Sequence, residues 1–430
     1  MMEADNNNSE LVKTTTHKVV LPFYVYAALA FLVSAIMLFT SSNAFTQHYF
    51  QPHILAITHS MALGWGTMII LGSSHQLLPI LIERELFSNR LAHLTFGFAA
   101  AGIPLLVWSF YTFNMQWPAQ TGAVLINVAV LLYLINVAAG IAQSKTENVN
   151  AIFVLTAGIW LFITTLVGGL LVFNFSHNWL AADSLHYLSL HAHLGIAGWF
   201  LLLVIGVGSK LIPLFLISKY NNPKILWGIF GLINAALILF IFIFLFTDQL
   251  WLHLFPVAFI TVALLLFGRF CRSSYQQRIR KQVDGQVTIS LISVAMMVVP
   301  LLTLIVIVAS LLFLPVNTKL VLAYGFTIFF GWLTAIILGM TFKTLPFIVW
   351  NKIYHSKAGL GKTPDPKELF SAGLFKGMVI SYLPGFLLFA VGVVISNALV
   401  IKAGAGLLLC CAFLYNVNVL KIFFHKARVV

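Results

Sequence analysis

Charge and cysteine are the scarce commodities of this chain. Only 8% of its 430 residues are charged and three are cysteines. So few charges cannot keep a globular surface wetted, which excludes a soluble globular domain. Cys271 stands alone, and Cys410 and Cys411 are neighbours, so no disulfide framework is expected. No C-x-x-C-H occurs, which removes covalent c-type haem attachment. Acids are scarcer still. The 11 Asp and Glu all fall in tails, in loops or at the ends of apolar runs. An acid-relay proton pump needs carboxylates within the membrane, so that class is disfavoured. Phosphate-binding glycine loops, Ser-His-Asp patterns and H-E-x-x-H are missing, and "GLGK" at 359–362 lacks the Walker spacing.

Hydrophobic residues are abundant, at 60% of the chain, with a mean hydropathy of +0.99. Apolar runs predict twelve membrane-spanning helices at 19–42, 52–82, 91–113, 119–143, 150–174, 185–217, 224–246, 250–270, 287–314, 318–350, 371–395 and 400–424. These divide the chain into an N-terminal tail (1–18), one membrane domain (19–424) and a C-terminal tail (425–430). The tail "MMEADNNNSELVKTTTHK" shows no cleavable signal pattern, so helix 1 is expected to insert as an uncleaved anchor. The lipid bilayer is thus the first partner.

The formal charge of +13 could suggest nucleic acid, but its placement excludes that partner. Of 24 Lys and Arg, only Lys319 and Lys402 fall in loops on one side. The rest lie toward the other face, in loops such as "RFCRSSYQQRIRKQVDGQ". This positive-inside asymmetry predicts both termini in the cytoplasm, in an inner membrane of bacterial type.

An internal repeat is the strongest pattern. Gly64-Trp65, Gly72 and Pro79 recur as Gly198-Trp199, Gly206 and Pro213, and again as Gly331-Trp332, Gly339 and Pro346. The copies lie 134 and 133 residues apart, about four helices each. Three four-helix units are predicted, with equivalent helices near 52–82, 185–217 and 318–350. Glycines allow close helix packing, and the tryptophans lie too deep for an interfacial belt.

The repeat extends upstream to H-x4-G-W at His59 and His193, while Phe326 holds the third position. An ionisable side chain inside a membrane is a functional candidate, and neutral imidazole is a common ligand of haem iron and copper. His53 and His191 stand nearby. On a regular helix His191 and His193 point about 200° apart, so only one can face a given site. The repeat favours His193. His75 and His93 flank the hairpin between helices 2 and 3 and form a second candidate pair, and His253 is a further candidate metal ligand. A structural role, with each imidazole bonded to a nearby carbonyl, remains the alternative.

Twelve helices in three pseudo-repeated arcs, with histidines near the outer ends of helices 2 and 6, resemble subunit I of the haem–copper oxidase superfamily. That superfamily comprises cytochrome and quinol oxidases and nitric oxide reductases. The resemblance implies an all-α, cytochrome c oxidase subunit I-like fold. It implies a haem ligand at His59 (or His53) and a copper or non-haem metal ligand at His193 (or His191). It also implies a redox partner subunit or electron donor, and electron transfer or the handling of a diatomic gas. Helix 10 carries no histidine, the pair after helix 7 is reduced to His253, and Ala197 replaces a tyrosine four residues after His193. The family's binuclear site is therefore incomplete. The competing reading is a cofactor-free transporter or assembly scaffold on the same fold.

Overall fold

The computed structural model describes residues 15–144, 148–355 and 363–427. "GLGK" at 359–362, most of the N-terminal tail and the last three residues lie outside the described residues. The described chain is helical, with no named strand and a single isolated bridge, Ser218 with Arg278. Inside a bilayer every backbone N–H and C=O must be satisfied within the protein, and a helix does so within one segment.

Twelve helices are long and apolar enough to cross a membrane. They are helix 1 (His17–Thr40), helix 2 (Pro52–Ile82), helix 3 (Asn89–Thr112), helix 4 (Trp117–Ala142), helix 5 (Val149–His177) and helix 6 (Leu188–Leu216). There follow helix 7 (Pro223–Phe246), helix 8 (Leu250–Gln276), helix 9 (Gly285–Leu311), helix 10 (Thr318–Tyr354), helix 11 (Ala372–Ile395) and helix 12 (Ala398–Phe423). An even number of crossings returns the chain to the face it started from, here the terminal face; the opposite one is the far face.

Two boundaries differ from the sequence reading. Helix 8 runs on to Gln276, which puts Cys271 on a buried helical turn rather than in a loop. The sixteen residues from Arg269 to Asp284 hold five arginines and lysines, and hydropathy alone ends the helix there. Helix 9 is broken at Met297, and of its second half only Pro300 is buried.

Helices 2, 6 and 10 are the most buried, 78, 72 and 78% over their most apolar stretches, against 56% or less for every other helix. They form the inner layer. Helices 1, 5 and 9 pack against 2, 6 and 10 respectively, and 3–4, 7–8 and 11–12 are paired hairpins. Contacts of helix 4 with 5, 8 with 9 and 12 with 1 close the ring.

The repeated glycines mark the inner contacts. A Cβ at Gly72 would stand 2.7 Å from Phe23 Cβ of helix 1, one at Gly206 would collide with Phe153 of helix 5, and one at Gly339 would come within 2.6 Å of the Gln286 carbonyl of helix 9. Equivalent glycines therefore meet the first helix of their own unit. The hairpins are pinned in a related way. Asn136 accepts from the Ser88 amide and donates to its carbonyl, and Asn418 does the same to Ser371. Both serines cap the helix that follows. Phe270 stands at the corresponding place in the middle hairpin, which lacks this clasp.

Candidate functional site

Each motif helix is α-helical at its far-face end and then widens into a π-helical stretch spanning the Gly-Trp pair: Ser60–Thr67, Leu194–Leu201 and Thr327–Leu333. Such turns are rare and concentrate at functional sites. The tryptophans they carry are buried and reach across the centre. The Trp65 indole donates to Thr334 of helix 10 at 3.1 Å, and Trp199 donates to Thr67 of helix 2 at 3.0 Å. Both acceptors stand two residues after a motif tryptophan. The third such position is Leu201, which offers no side-chain acceptor. Between these bonds the residues that follow each tryptophan converge: a Cβ on Gly66 would lie 2.8 Å from the Phe200 ring and 3.1 Å from Leu333.

The far-face half of the bundle encloses a cavity of about 740 Å3, within the usual range of ligand sites, ~300–1,000 Å3. Its walls are mainly apolar and come from helices 2 to 10. Among the described residues, no lysine or arginine lines it. His59, His186, His191, His193 and His253 line it, as does Asp248.

His59 donates through Nδ1 to the Leu55 carbonyl at 2.8 Å, one turn back. His193 makes the equivalent bond to Ser189 at 2.8 Å. His191 reaches across to the Thr164 carbonyl of helix 5 at 3.1 Å. A carbonyl only accepts, so in all three the proton sits on Nδ1 and the lone pair on Nε2. That tautomer is the one that ligates metals through Nε2.

The partner of His59 corrects the sequence reading. Its ring centre lies 6.2 Å from that of His191, with planes 14° apart. His193, the favoured counterpart, turns toward helices 7 and 10, against Phe240 and Tyr324. The 200° argument was sound for His191 and His193, which do face different sides. Equivalent repeat positions face equivalent directions, so His59 and His193 look toward different parts of the one cavity that both line, and His191 is the imidazole beside His59. His191 looks back toward helix 2, seated over Gly168, where a Cβ would lie 2.8 Å from its ring.

His53 packs edge-on against Tyr111 at 4.7 Å and does not line the cavity. His253 shares the Phe240 ring with His193 and bonds to its own Leu250 carbonyl. Of the second candidate pair, His75 is fully buried and His93 is exposed, so the two sit in different environments. At the third repeat position, Phe326 stacks on Phe389 at 4.2 Å and Phe386 at 5.7 Å. The adjoining π turn is distorted at Gly331 (φ −92°, ψ −116°), and the Tyr382 hydroxyl caps its Phe330 and Gly331 carbonyls at 2.9 and 2.7 Å.

Among the described residues, no three His, Cys, Asp or Glu side chains lie close enough to share a metal ion. A three-histidine copper centre therefore does not fit. His59 and His191, each with a free Nε2 lone pair, are the two residues that would hold a metal taking two nitrogen ligands, such as haem iron or copper. The fold and site define an all-helical, twelve-span membrane protein with a histidine-lined cavity. No protein-family model matches the chain, and neither does any curated protein.

Proposed function

We propose that the chain is a membrane electron-transfer protein that holds one haem iron or copper between His59 and His191, on a scaffold of the haem–copper oxidase type. The pairing of these two imidazoles carries the reading. Imidazole nitrogens bind such metals at ~2.0–2.1 Å, which places two rings on one metal about 6 Å apart centre to centre; the observed separation is 6.2 Å. The Leu55 and Thr164 carbonyls fix the ring orientation from outside.

When bound, the metal supplies the one-electron redox change. The chain supplies the two ligands, their tautomer and a mainly apolar surround. With His59 and His191 both engaged, a bound haem or copper would supply one-electron transfer rather than oxygen or nitric oxide reduction. The asymmetry of Lys and Arg supports an inner bacterial membrane with the terminal face in the cytoplasm. An electron donor, soluble or lipid-borne, is the implied partner.

Absorption spectra of the oxidised and dithionite-reduced protein, with metal analysis on the same sample, test this. His59→Ala and His191→Ala should each abolish the low-spin haem spectrum or the bound copper, while His193→Ala should leave it. A colourless, metal-free sample from haem- and copper-replete cells would sink the proposal. That outcome would favour the second reading, a carrier of neutral apolar molecules, which the size of the cavity and its lack of lysine and arginine support.

A further inference from the structure

The proposed site leaves one buried imidazole unused. His75 lies on the terminal-face half of helix 2 with no exposed surface, and neither ring nitrogen has a hydrogen-bond partner. The Leu71 carbonyl, one turn back, lies near without closing a bond. Its surroundings repeat the anomaly. The Tyr133 ring of helix 4 meets His75 edge-on at 5.5 Å, and its buried hydroxyl is unpartnered. The buried Ser74 hydroxyl stands beside that of Tyr133, and the two approach each other without closing a well-formed bond. Four orphaned polar atoms thus gather on two helices, whereas buried polar groups in folded proteins are nearly always satisfied. Desolvating a polar group without a partner is costly.

We infer that this pocket between helices 1, 2 and 4 is an internal water site. The ligand class follows from the donor set. A neutral imidazole offers one donor and one acceptor, and each hydroxyl offers both. No carboxylate or cation is among them, so neither a metal ion nor an anion finds a counter-charge. Water donates and accepts, and is held where two to four polar partners converge.

The site lies between the terminal-face end of helix 1 and the cavity. On one side Thr15, at the terminal-face end of helix 1, donates to the His75 carbonyl at 2.6 Å. On the other, the Tyr133 ring touches Trp199 at 6.2 Å, and Trp199 and its acceptor Thr67 both line the cavity. Water here gives the cavity a polar stepping stone toward the terminal face, through a bundle half that is otherwise dry.

Solid-state NMR on proteoliposomes of the full chain with 15N-labelled histidine tests this without any metal, so it stands or falls apart from the metal proposal. The His75 signal is identified by its loss in His75→Gln. Magnetisation transfer from water to His75 is expected to match that of the cavity-lining histidines. Thermal melting of Tyr133→Phe gives a second reading that does not rely on His75→Gln folding. If water is bound, removing the hydroxyl strands it and lowers the melting temperature. In a dry pocket the substitution removes an unsatisfied group and raises it. A His75 signal silent to water, or a raised melting temperature, overturns the inference.

Discussion

The far-face ends of the first two motif helices and that of the third have been put to opposite uses. His59 and His193 bond one turn back and present Nε2 to open space. Phe326 at the matching position is locked among the rings of Phe330, Phe386 and Phe389. The same backbone therefore supports either a polar ligand group beside a cavity or solid aromatic packing. What differs is how far the neighbouring helices fill the space: helix 11 delivers two phenylalanines and Tyr382, whereas the helices around His59 and His191 deliver one phenylalanine, Phe110 at 4.4 Å from the His59 ring centre, with glycine (Gly168) and threonine.

Truncation should separate these uses most sharply. Phe326→Ala is expected to cost about 3–5 kcal/mol, the usual penalty for emptying a packed aromatic site. His193→Ala, at the equivalent position, should cost less, about 1–2 kcal/mol, because one side of its ring faces the cavity although the other packs on Phe240 and Tyr324. Unfolding monitored in the same detergent checks both; equal losses would erase the distinction. Next in size is Gly206→Ala, where the new methyl meets Phe153. Overpacking of this kind costs about 1–3 kcal/mol, and Gly97→Ala, with open space around it, is the control.

Thr67→Val removes the acceptor of Trp199 and should cost about 1–2 kcal/mol, leaving a buried indole donor unmet. Leu201→Thr places a hydroxyl at the third acceptor position, and a stability loss no larger than that of Thr67→Val would show that the three interfaces share one geometry. The smallest effect concerns the terminal face, where Lys343 and Arg280 both pair with Asp284. Partial burial opposes the Asp284 charge, yet the two cations hold its carboxyl below the usual carboxylate range. A depressed carboxyl pKa stabilises the fold above the unfolded value of 3.8 and loses that contribution as the pH falls through the lower folded one. Asp284→Asn should cost about 1 kcal/mol or less, because the pair is partly solvated, and should flatten the acid limb of a stability-against-pH curve.

Much of this architecture was legible in the residues. Hydropathy located all twelve helices, because a bilayer punishes any polar interruption. The spacing of Gly-Trp, Gly and Pro marked the three helices that became the inner layer. Legibility failed where geometry across helices decides. His59 and His191 lie 132 residues apart in sequence, and no local pattern links them. The repeat aligned His59 with His193 correctly as local structure, since both make the same one-turn bond, but local equivalence says nothing about who stands opposite. The π turns were also invisible, because their hydrophobicity matches that of an ordinary helix. Three Gly-Trp pairs at one depth were the available sign.

The point where Gly66, Phe200 and Leu333 converge carries a consequence for assembly. Three chemically equal units around such an axis would have to place the same side chain there three times. Three phenylalanines would collide, and three glycines would leave a hole. One large, one medium and one absent side chain fill the space together, so the volume is conserved only as a sum. Joining the units in a single polypeptide is what permits that unequal division, and an assembly of identical copies of any one unit could not reproduce this centre.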